Sequence, residues 1–303
     1  MLDLGRTFLQ SVERNPDAIA AVEGDTRLTY AAWLEQILRV AQGLDELGLE
    51  HGDHLLVVLQ NRLEMATLHW ACQFLGVIVT PLNWRAKPEE IDYCLIDAVA
   101  KAIVYEEVSA EAVAQSAEAP NVPRIVVGAD AQATHAYAGL LATQPWTAGP
   151  RATADDISLM LYTSGTTGKP KGVPRRHRQE RAAALGHVAQ NQYGIGECTL
   201  GVMPLYHTMG VRSLLAMALV DGCFVCLPRF SPATALALIQ RERVSNLYLV
   251  PTLYHDLLAH ADFAGTDISS VRKLGFAGAP MHDALLLRLD EASAELRAPE
   301  KTR

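Results

Sequence analysis

An α/β fold built on mainly parallel sheets flanked by helices is what this sequence predicts, and two observations predict it. Short runs of β-branched and bulky apolar residues alternate with helical stretches of ten or more residues along the chain, the signature of βαβ units. The stretches richest in glycine, hydroxyl and histidine residues each follow one of those apolar runs. In sheets of this kind ligands bind beyond the carboxyl ends of strands, so these stretches can be pooled into one site.

Taken in order, Leu4, Phe8, Leu9 and Val12 mark a first helix that Asn15-Pro16-Asp17 breaks. Ala18–Val22 and Arg27–Tyr30 flank Glu23-Gly24-Asp25-Thr26 and read as a hairpin. Thr29 is placed to cap a longer helix with Leu34, Ile37, Leu38, Ala41 and Leu44 on its core face, and Gly48 to stop it. Leu55–Leu59 reads as a buried strand, Asn61 as the cap of the next helix, Gly76 as its end, and Val77–Thr80 as a further strand. Pro88 opens a helix at its favoured first position, followed by a strand over Lys101–Tyr105, a helix over Ser109–Ala117 and a strand over Arg124–Gly128. Between Ala129 and Asp156 the chain turns small and polar, which predicts a surface crossing or subdomain boundary.

The second half repeats the alternation. A strand over Ile157–Tyr162 leads to helix His177–Gln192, strand Thr199–Pro204 and helix Met209–Val220. Strand Cys223–Pro228, helix Ser231–Arg241, strand Asn246–Val250 and helix Thr252–His260 follow. Strand Lys273–Gly278 then leads into a last helix, Met281–Arg297.

With 303 residues, half of them hydrophobic, the chain can bury a substantial core. A net charge of −8 argues against nucleic acid as a partner, because neutralising phosphates needs a basic face. The longest apolar run, Leu214 to Val220, is too short to span a bilayer, and the N-terminus lacks the apolar core of a signal peptide. Five scattered cysteines read as reduced thiols, and a cytoplasmic protein is expected. Cys223 and Cys226 fit a C-x-x-C spacing, but residues three apart on a strand point to opposite faces, so core packing is expected rather than a metal site.

The most informative stretch is Tyr162-Thr163-Ser164-Gly165-Thr166-Thr167-Gly168-Lys169-Pro170-Lys171-Gly172-Val173. Within ten positions it holds three glycines, four hydroxyl residues and two lysines, a composition suited to a loop that holds an anion. The plainer alternative is a polar strand-to-helix connection. A P-loop is excluded by spacing: only two residues separate Gly165 from Gly168, and Pro170 stands where the magnesium-binding hydroxyl would be.

At these twelve residues the chain closely resembles the adenylate-forming superfamily of acyl- and aryl-CoA synthetases, luciferases and peptide-synthetase adenylation domains. The resemblance implies the large N-terminal domain of such an enzyme over residues 1–303, ending before the small C-terminal domain. It further implies that Thr163, Ser164, Gly165, Thr166, Thr167, Gly168, Lys169 and Lys171 bind ATP, with Thr167 and Lys169 catalytic. Met203-Pro204-Leu205-Tyr206-His207 resembles the family segment that lines the acyl pocket, which makes His207 a candidate catalytic and acid-binding residue together with Met209, Gly210 and Val211. Taken alone, a histidine at a strand end is more often structural. Phe276-Ala277-Gly278-Ala279-Pro280 resembles the turn that packs against the adenylate, placing Gly278, Ala279 and Pro280 at the nucleotide, and Val250-Pro251-Thr252 also fits the family pattern.

The reaction so implied joins a carboxylate to the α-phosphorus of ATP and then transfers the acyl group to coenzyme A, with Mg²⁺ on the phosphates. An aryl, alicyclic or fatty acid is the expected substrate. The family's magnesium glutamate lies in a Tyr-Gly-x-Thr-Glu segment downstream of the Gly-Ala-Pro turn; here only Tyr193-Gly194-Ile195-Gly196-Glu197 imitates it, on the wrong connection. Two alternatives stay open: a catalytically silent nucleotide-binding remnant, and an adenylation domain serving a carrier protein. Thr208-Met209-Gly210-Val211 offers no aspartate for an amino-acid amine, which favours the CoA ligase reading over the carrier-protein one. Arg175-Arg176-His177-Arg178 is either a triphosphate-steering cluster or a solvated helix start.

Overall fold

The computed structural model describes residues 3–163 and 170–297. Helix α1 (Leu4–Arg14) precedes the hairpin β1 (Ile19–Glu23) and β2 (Thr26–Thr29). Then come α2 (Tyr30–Glu46), β3 (His54–Val58), α3 (Leu63–Leu75), β4 (Ile78–Pro81), α4 (Pro88–Asp97), β5 (Ala100–Glu106) and α5 (Glu107–Gln115). Strands β6 (Arg124–Val127) and β7 (His135–Ala136) lead to α6 (Tyr137–Leu141), then β8 (Ile157–Thr163) and β9 (Lys171–Arg176). The remaining elements are α7 (His177–Gln190), β10 (Cys198–Gly201), α8 (Thr208–Leu219), β11 (Cys223–Cys226), α9 (Pro232–Arg241), β12 (Asn246–Leu249), α10 (Pro251–Ala259), β13 (Lys273–Phe276) and α11 (Asp283–Arg297).

Among the described residues the strands form two sheets, ordered β7-β6-β5-β3-β4-β8-β9 and β13-β12-β10-β11-β1-β2. Pairing is parallel throughout except at β8–β9 and β1–β2, both hairpins at a sheet edge. The continuous apolar runs that predicted buried strands have their cause in the layering. On β3, Leu55 and Val57 join a core shared with the other sheet, whereas Leu56 and Val58 face a second core under α4 and α5. On β11, Phe224 faces the shared core and Val225 a third core under α9 and α10. A strand covered on both faces has no polar alternation to show.

Helices α1, α2, α3 and α8 fill the space between the sheets. Helix α3 is buried on every side from Met65 to Leu75, and α8 over most of its length. Such helices are apolar all round because each contacts protein on all faces. The two cysteines of the C-x-x-C spacing diverge as expected: Cys226 lies in the shared core and Cys223 packs against the third, and all five cysteines are unpaired. After α6 the chain runs over residues 142–156 from one side of the seven-stranded sheet to the other. It is tied down on the way by Trp146 N–H to the Leu38 carbonyl (3.0 Å) and Arg151 N–H to the Phe74 carbonyl (2.8 Å).

Three local expectations are corrected. Residues 171–176, read as part of a connection to the next helix, form the strand β9, antiparallel to β8, so the phosphate-type stretch lies within a hairpin. Pro174 is tolerated there because β9 is an edge strand. Asn61 does not cap α3: Arg62 holds the cap position without a side-chain cap bond, and the Glu23 carboxylate accepts the Leu63 N–H instead. The last helix, expected from Met281, begins at Asp283.

Candidate active site

Residues Ser164–Lys169, the centre of the phosphate-type stretch, lie outside the described residues, so the structure places the stem of the hairpin and not these six. Thr163 ends β8 and pairs with Lys171, the exposed first residue of β9. Helix α4 holds both arms of the stem. The Tyr162 hydroxyl donates to Asp97 at 2.8 Å, the Tyr93 hydroxyl donates to the Pro170 carbonyl at 3.0 Å, and the two rings meet edge-on at 6.2 Å. Burial and the bond to Asp97 push the Tyr162 phenol well above its usual range, so it stays a donor.

The His207 segment follows β10, and a buried residue from the other sheet fixes its path. Asn61, on the loop after β3, donates through Nδ2 to the carbonyls of Gly201 (3.1 Å) and Met203 (2.6 Å), and its Oδ1 accepts the Leu205 N–H at 2.9 Å. His207 itself is the N-cap of α8 and makes no side-chain cap bond. Its ring is exposed on one side and tilts against Tyr206 at 4.7 Å, and the protein on its other side holds the imidazole pKa below its ordinary value by desolvation. A neutral histidine therefore stands at the positive end of a helix, where the first N–H groups of α8 are free to receive an anion.

Behind His207 the packing is tight. A Cβ on Gly210 would fall onto the carbonyl oxygens of Pro204 and Met203, so glycine is what lets the first turn of α8 seat on this segment. Val211, fully buried, belongs to the shared core. Gly210 and Val211 thus support the wall from behind, while Met209 is half-buried at its surface. Arg175 reaches from β9 to donate to the Thr208 hydroxyl at 2.6 Å and pairs with the buried Glu180 at 3.3 Å.

The turn after β13 comes to the same place. Gly278 adopts φ +85°, and a Cβ there would lie 3.0 Å from Val250 Cγ1 and 3.8 Å from Met209 Sδ. Three stretches singled out separately in the sequence, around Met209, Val250 and Gly278, therefore meet beyond the ends of β10, β12 and β13. Ala279 and Pro280 are exposed beside them. A cleft of about 360 Å³ opens next to this point, lined by Asn61, Trp84, Arg85, Pro204, Tyr206 and Arg229 among others. The Arg85 guanidinium stacks 3.7 Å over the Trp84 ring.

Other candidates fall away from the site. Glu197 sits at the opposite, amino-terminal end of the six-stranded sheet, bonded to Lys273, Ser245 and the Gly194 N–H. Those partners hold its carboxyl below its usual range although burial opposes them. The Arg175–Arg178 run does not form one cluster: Arg176 and Arg178 are exposed at the start of α7, where Arg176 donates to the Asp155 carbonyl and Arg178 pairs with Asp155 at 2.8 Å, whereas His177 is buried with Nδ1 accepting the Leu4 N–H at 3.1 Å. No group of three or more histidine, cysteine or acidic side chains among the described residues could hold a metal ion. Nor is any described helix long and apolar enough to cross a membrane.

Two residues of this site escaped the sequence reading. Asn61 acts on partners 140 to 144 residues away, and nothing local distinguishes it from a helix cap. Arg175 was seen only as one charge in a basic run. The residue that could have separated it is Glu180, five positions on, whose placement on α7 faces it back toward β9.

The fold and this convergence of strand ends define an α/β protein with a candidate site beyond the carboxyl ends of its strands, and comparison with known proteins gives the family. The family model described as AMP-binding enzyme matches residues 8–298, and the chain belongs to that family. It is similar to a feruloyl-CoA synthase of an Amycolatopsis species, 30% identical over 283 residues that cover 92% of this chain and 55% of that protein. It is also similar to the long-chain-fatty-acid–CoA ligase FadD13 of Mycobacterium tuberculosis, 28% identical over 94% of this chain and 57% of that protein. The chain thus spans little more than half the length of these relatives. Among solved structures, the inhibitor-bound N-terminal domain of FACL13 from Mycobacterium tuberculosis superposes with a TM-score of 0.86 at 28% identity, over 96% of this chain and 73% of that one.

Proposed function

We propose that this protein activates a carboxylic acid with ATP, forming an acyl-adenylate and pyrophosphate, and that the acyl group then passes to coenzyme A with release of AMP. The observation that carries this reading is the meeting of Met209, Val250 and Gly278 beyond the strand ends, beside a histidine at the N-terminus of α8. The relatives named feruloyl-CoA synthase and long-chain-fatty-acid–CoA ligase support the same reaction class.

In this reading Thr163, the stretch Ser164–Lys169 and Lys171 hold the β- and γ-phosphates through backbone N–H groups, hydroxyls and ammonium charge. Thr167 and Lys169 stabilise charge on the departing pyrophosphate. Gly278, Ala279 and Pro280 pack against the adenylate, where glycine's lack of a Cβ permits close approach. His207 and the first N–H groups of α8 orient the acid carboxylate, which attacks the α-phosphorus, and Met209 forms part of the wall beside it. The protein's contribution is mainly positioning and preorganised charge. The cleft with Arg85 and Arg229 supplies cations and an aromatic floor suited to the phosphorylated arm of coenzyme A. The described residues do not assemble a magnesium site, so no step is assigned to the ion, although the proposed reaction includes Mg²⁺ on the nucleotide. The unpaired cysteines fit the reducing cytoplasm in which we place the reaction.

Calorimetric titration with ATP tests the assignment. The wild-type chain should bind, and a Thr167→Ala, Lys169→Ala double variant should bind at least about tenfold more weakly, since charge-assisted contacts are lost. Equal affinity in the two proteins would remove the phosphate role of this stretch.

A further inference from the structure

The amino-terminal end of the six-stranded sheet, opposite the site just described, brings together two thiols that lie 25 positions apart in the sequence. Cys198 opens β10 and Cys223 opens the parallel strand β11, and the two stand directly opposite each other in the ladder. The Cys223 N–H donates to the Glu197 carbonyl at 2.7 Å, which fixes that register at its first rung. Both side chains pack on the same face of the sheet, against the third core. The thiols are close enough for one to act on the other's proton: interaction with the Cys223 thiol, then burial, pushes the Cys198 pKa far above the ordinary thiol range.

The other three cysteines are placed differently. Cys226 faces the shared core on the opposite side of β11, Cys72 lies in α3 within that same core, and Cys94 lies in α4 within the second core. No group of three metal-binding side chains forms around Cys198 and Cys223 among the described residues. Their chemistry is therefore that of a dithiol.

The geometry permits a bond between them and strains it. Neighbouring strands lie about 4.8 Å apart, within the Cα separation that a disulfide tolerates. Side chains that leave the sheet side by side keep their Cβ atoms near that spacing, wider than the roughly 3.8 Å of a relaxed disulfide. A bond formed by drawing the strand ends together is more easily reduced than a structural crosslink.

Exposure divides the roles. Cys223 is partly exposed, whereas Cys198 is 9% exposed and its thiol donates to the Glu242 carbonyl at 3.6 Å. An oxidant arriving from solvent meets Cys223 first.

We propose that Cys198 and Cys223 form a reversible disulfide when a hydroperoxide oxidises the protein. The Cys223 sulfur attacks one peroxide oxygen, the O–O bond breaks, and the departing oxygen leaves with the thiol proton. Cys198 then attacks the sulfur of the resulting sulfenic acid; the S–S bond forms, the S–O bond breaks, and the hydroxyl leaves as water with the Cys198 proton. The two sulfurs together give up two electrons, both taken by the peroxide. The ring so closed, residues 198–223, contains β10, His207 and α8.

The test is peptide mapping of the whole chain after treatment with hydrogen peroxide, removal of the excess with catalase and alkylation by N-ethylmaleimide in denaturant. Alkylated thiols should fall from five to three, the two that are joined being lost. Trypsin cuts after Arg181, Arg212 and Arg229, so Cys198 and Cys223 fall on the separate peptides 182–212 and 213–229, which should appear linked. Cys226→Ala should keep the link and Cys223→Ser should lose it. In Cys198→Ser the link should be replaced by a Cys223 sulfenic acid that dimedone traps. Millimolar reduced glutathione should open the link in the wild-type protein. Five alkylated thiols after peroxide, a link through another cysteine, a link that glutathione leaves intact, or conversion of Cys223 to sulfinic acid without any link each overturns the proposal. Should a variant not fold, the wild-type map and its response to glutathione decide alone.

Discussion

The Oδ1 of Asn61 accepts the N–H of Leu205 at 2.9 Å across the interface between the two sheets, and through that bond the loop after β3 sets the path of the segment leading to His207. Replacing Asn61 with leucine leaves the Leu205 N–H and the carbonyls of Gly201 and Met203 without this partner in a buried place. At roughly 1–3 kcal/mol for a stranded buried group, partly relaxed by neighbours, the urea-unfolding free energy should fall by about 2–4 kcal/mol. Nucleotide affinity should fall too. A loss below about 0.5 kcal/mol with unchanged nucleotide binding would show that the segment holds its course without Asn61.

Gly210 makes a comparable prediction from steric argument alone. An added methyl group meets backbone carbonyls rather than a side chain that can swing away. Gly210→Ala should therefore cost about 1–3 kcal/mol, the usual range for overpacking, and displace His207 and Met209. Gly194, with nothing near its missing Cβ, provides the control: Gly194→Ala should be close to neutral. Equal melting temperatures for the two variants would contradict this.

Arg175 joins three elements by bonding Thr208 and Glu180. Burial raises the Glu180 pKa, and Arg175 opposes that rise. Arg175→Met leaves a buried carboxylate without its ion-pair partner and should destabilise the protein by about 2 kcal/mol, less than a fully enclosed pair because the guanidinium is partly solvated. Adding Glu180→Gln should recover at least half the loss. A double variant no more stable than the single one would show that Arg175 acts through Thr208.

Three buried histidines set the acid limb of stability. Burial lowers the pKa of His69 to about 3 and of His177 and His187 to about 4. Between the ordinary histidine value near 6.5 and these folded values, the unfolded chain binds protons that the folded one does not. Stability is thus fully present above about pH 6.5 and declines as pH falls toward 4, at up to about 1.4 kcal/mol per pH unit for each histidine. His177→Asn should flatten this decline between pH 6.5 and 5 in chemical denaturation, because its Nδ1 accepts the Leu4 N–H only when unprotonated. An unchanged slope would remove His177 from the account.

Much of the fold was legible in the sequence, for a definite reason. Strands such as β3 and β5 are covered on both faces and read as unbroken apolar runs, and helix ends carried recognisable residues: the Thr29 hydroxyl does accept the Ala32 N–H at 3.1 Å. Strand β9 was missed because Lys171-Gly172-Val173-Pro174-Arg175-Arg176 is polar, contains proline and lies at an edge, so nothing in its composition demands a strand. The division into two sheets was not visible either. Strand β1 pairs in parallel with β11, about two hundred residues away, and local patterning carries no record of such a partner. At the candidate site, the segments around Met209, Val250 and Gly278 are distinctive in the sequence and meet in the structure, but the residues that position them were not visible. Asn61 and Arg175 act through contacts that only the folded chain creates.

The central claim is that nucleotide and acid occupy adjoining parts of one site beyond the ends of β10, β12 and β13. Its most direct test is a calorimetric competition using a stable acyl-adenylate mimic, the sulfamate ester of adenosine acylated with the bound acid. The account predicts that the mimic binds the wild-type chain at least about a hundredfold more tightly than ATP, since two binding events are merged into one, and that prior saturation with either ATP or the acid weakens it. A mimic that ATP displaces but the acid does not, or that binds no more tightly than ATP alone, would contradict it.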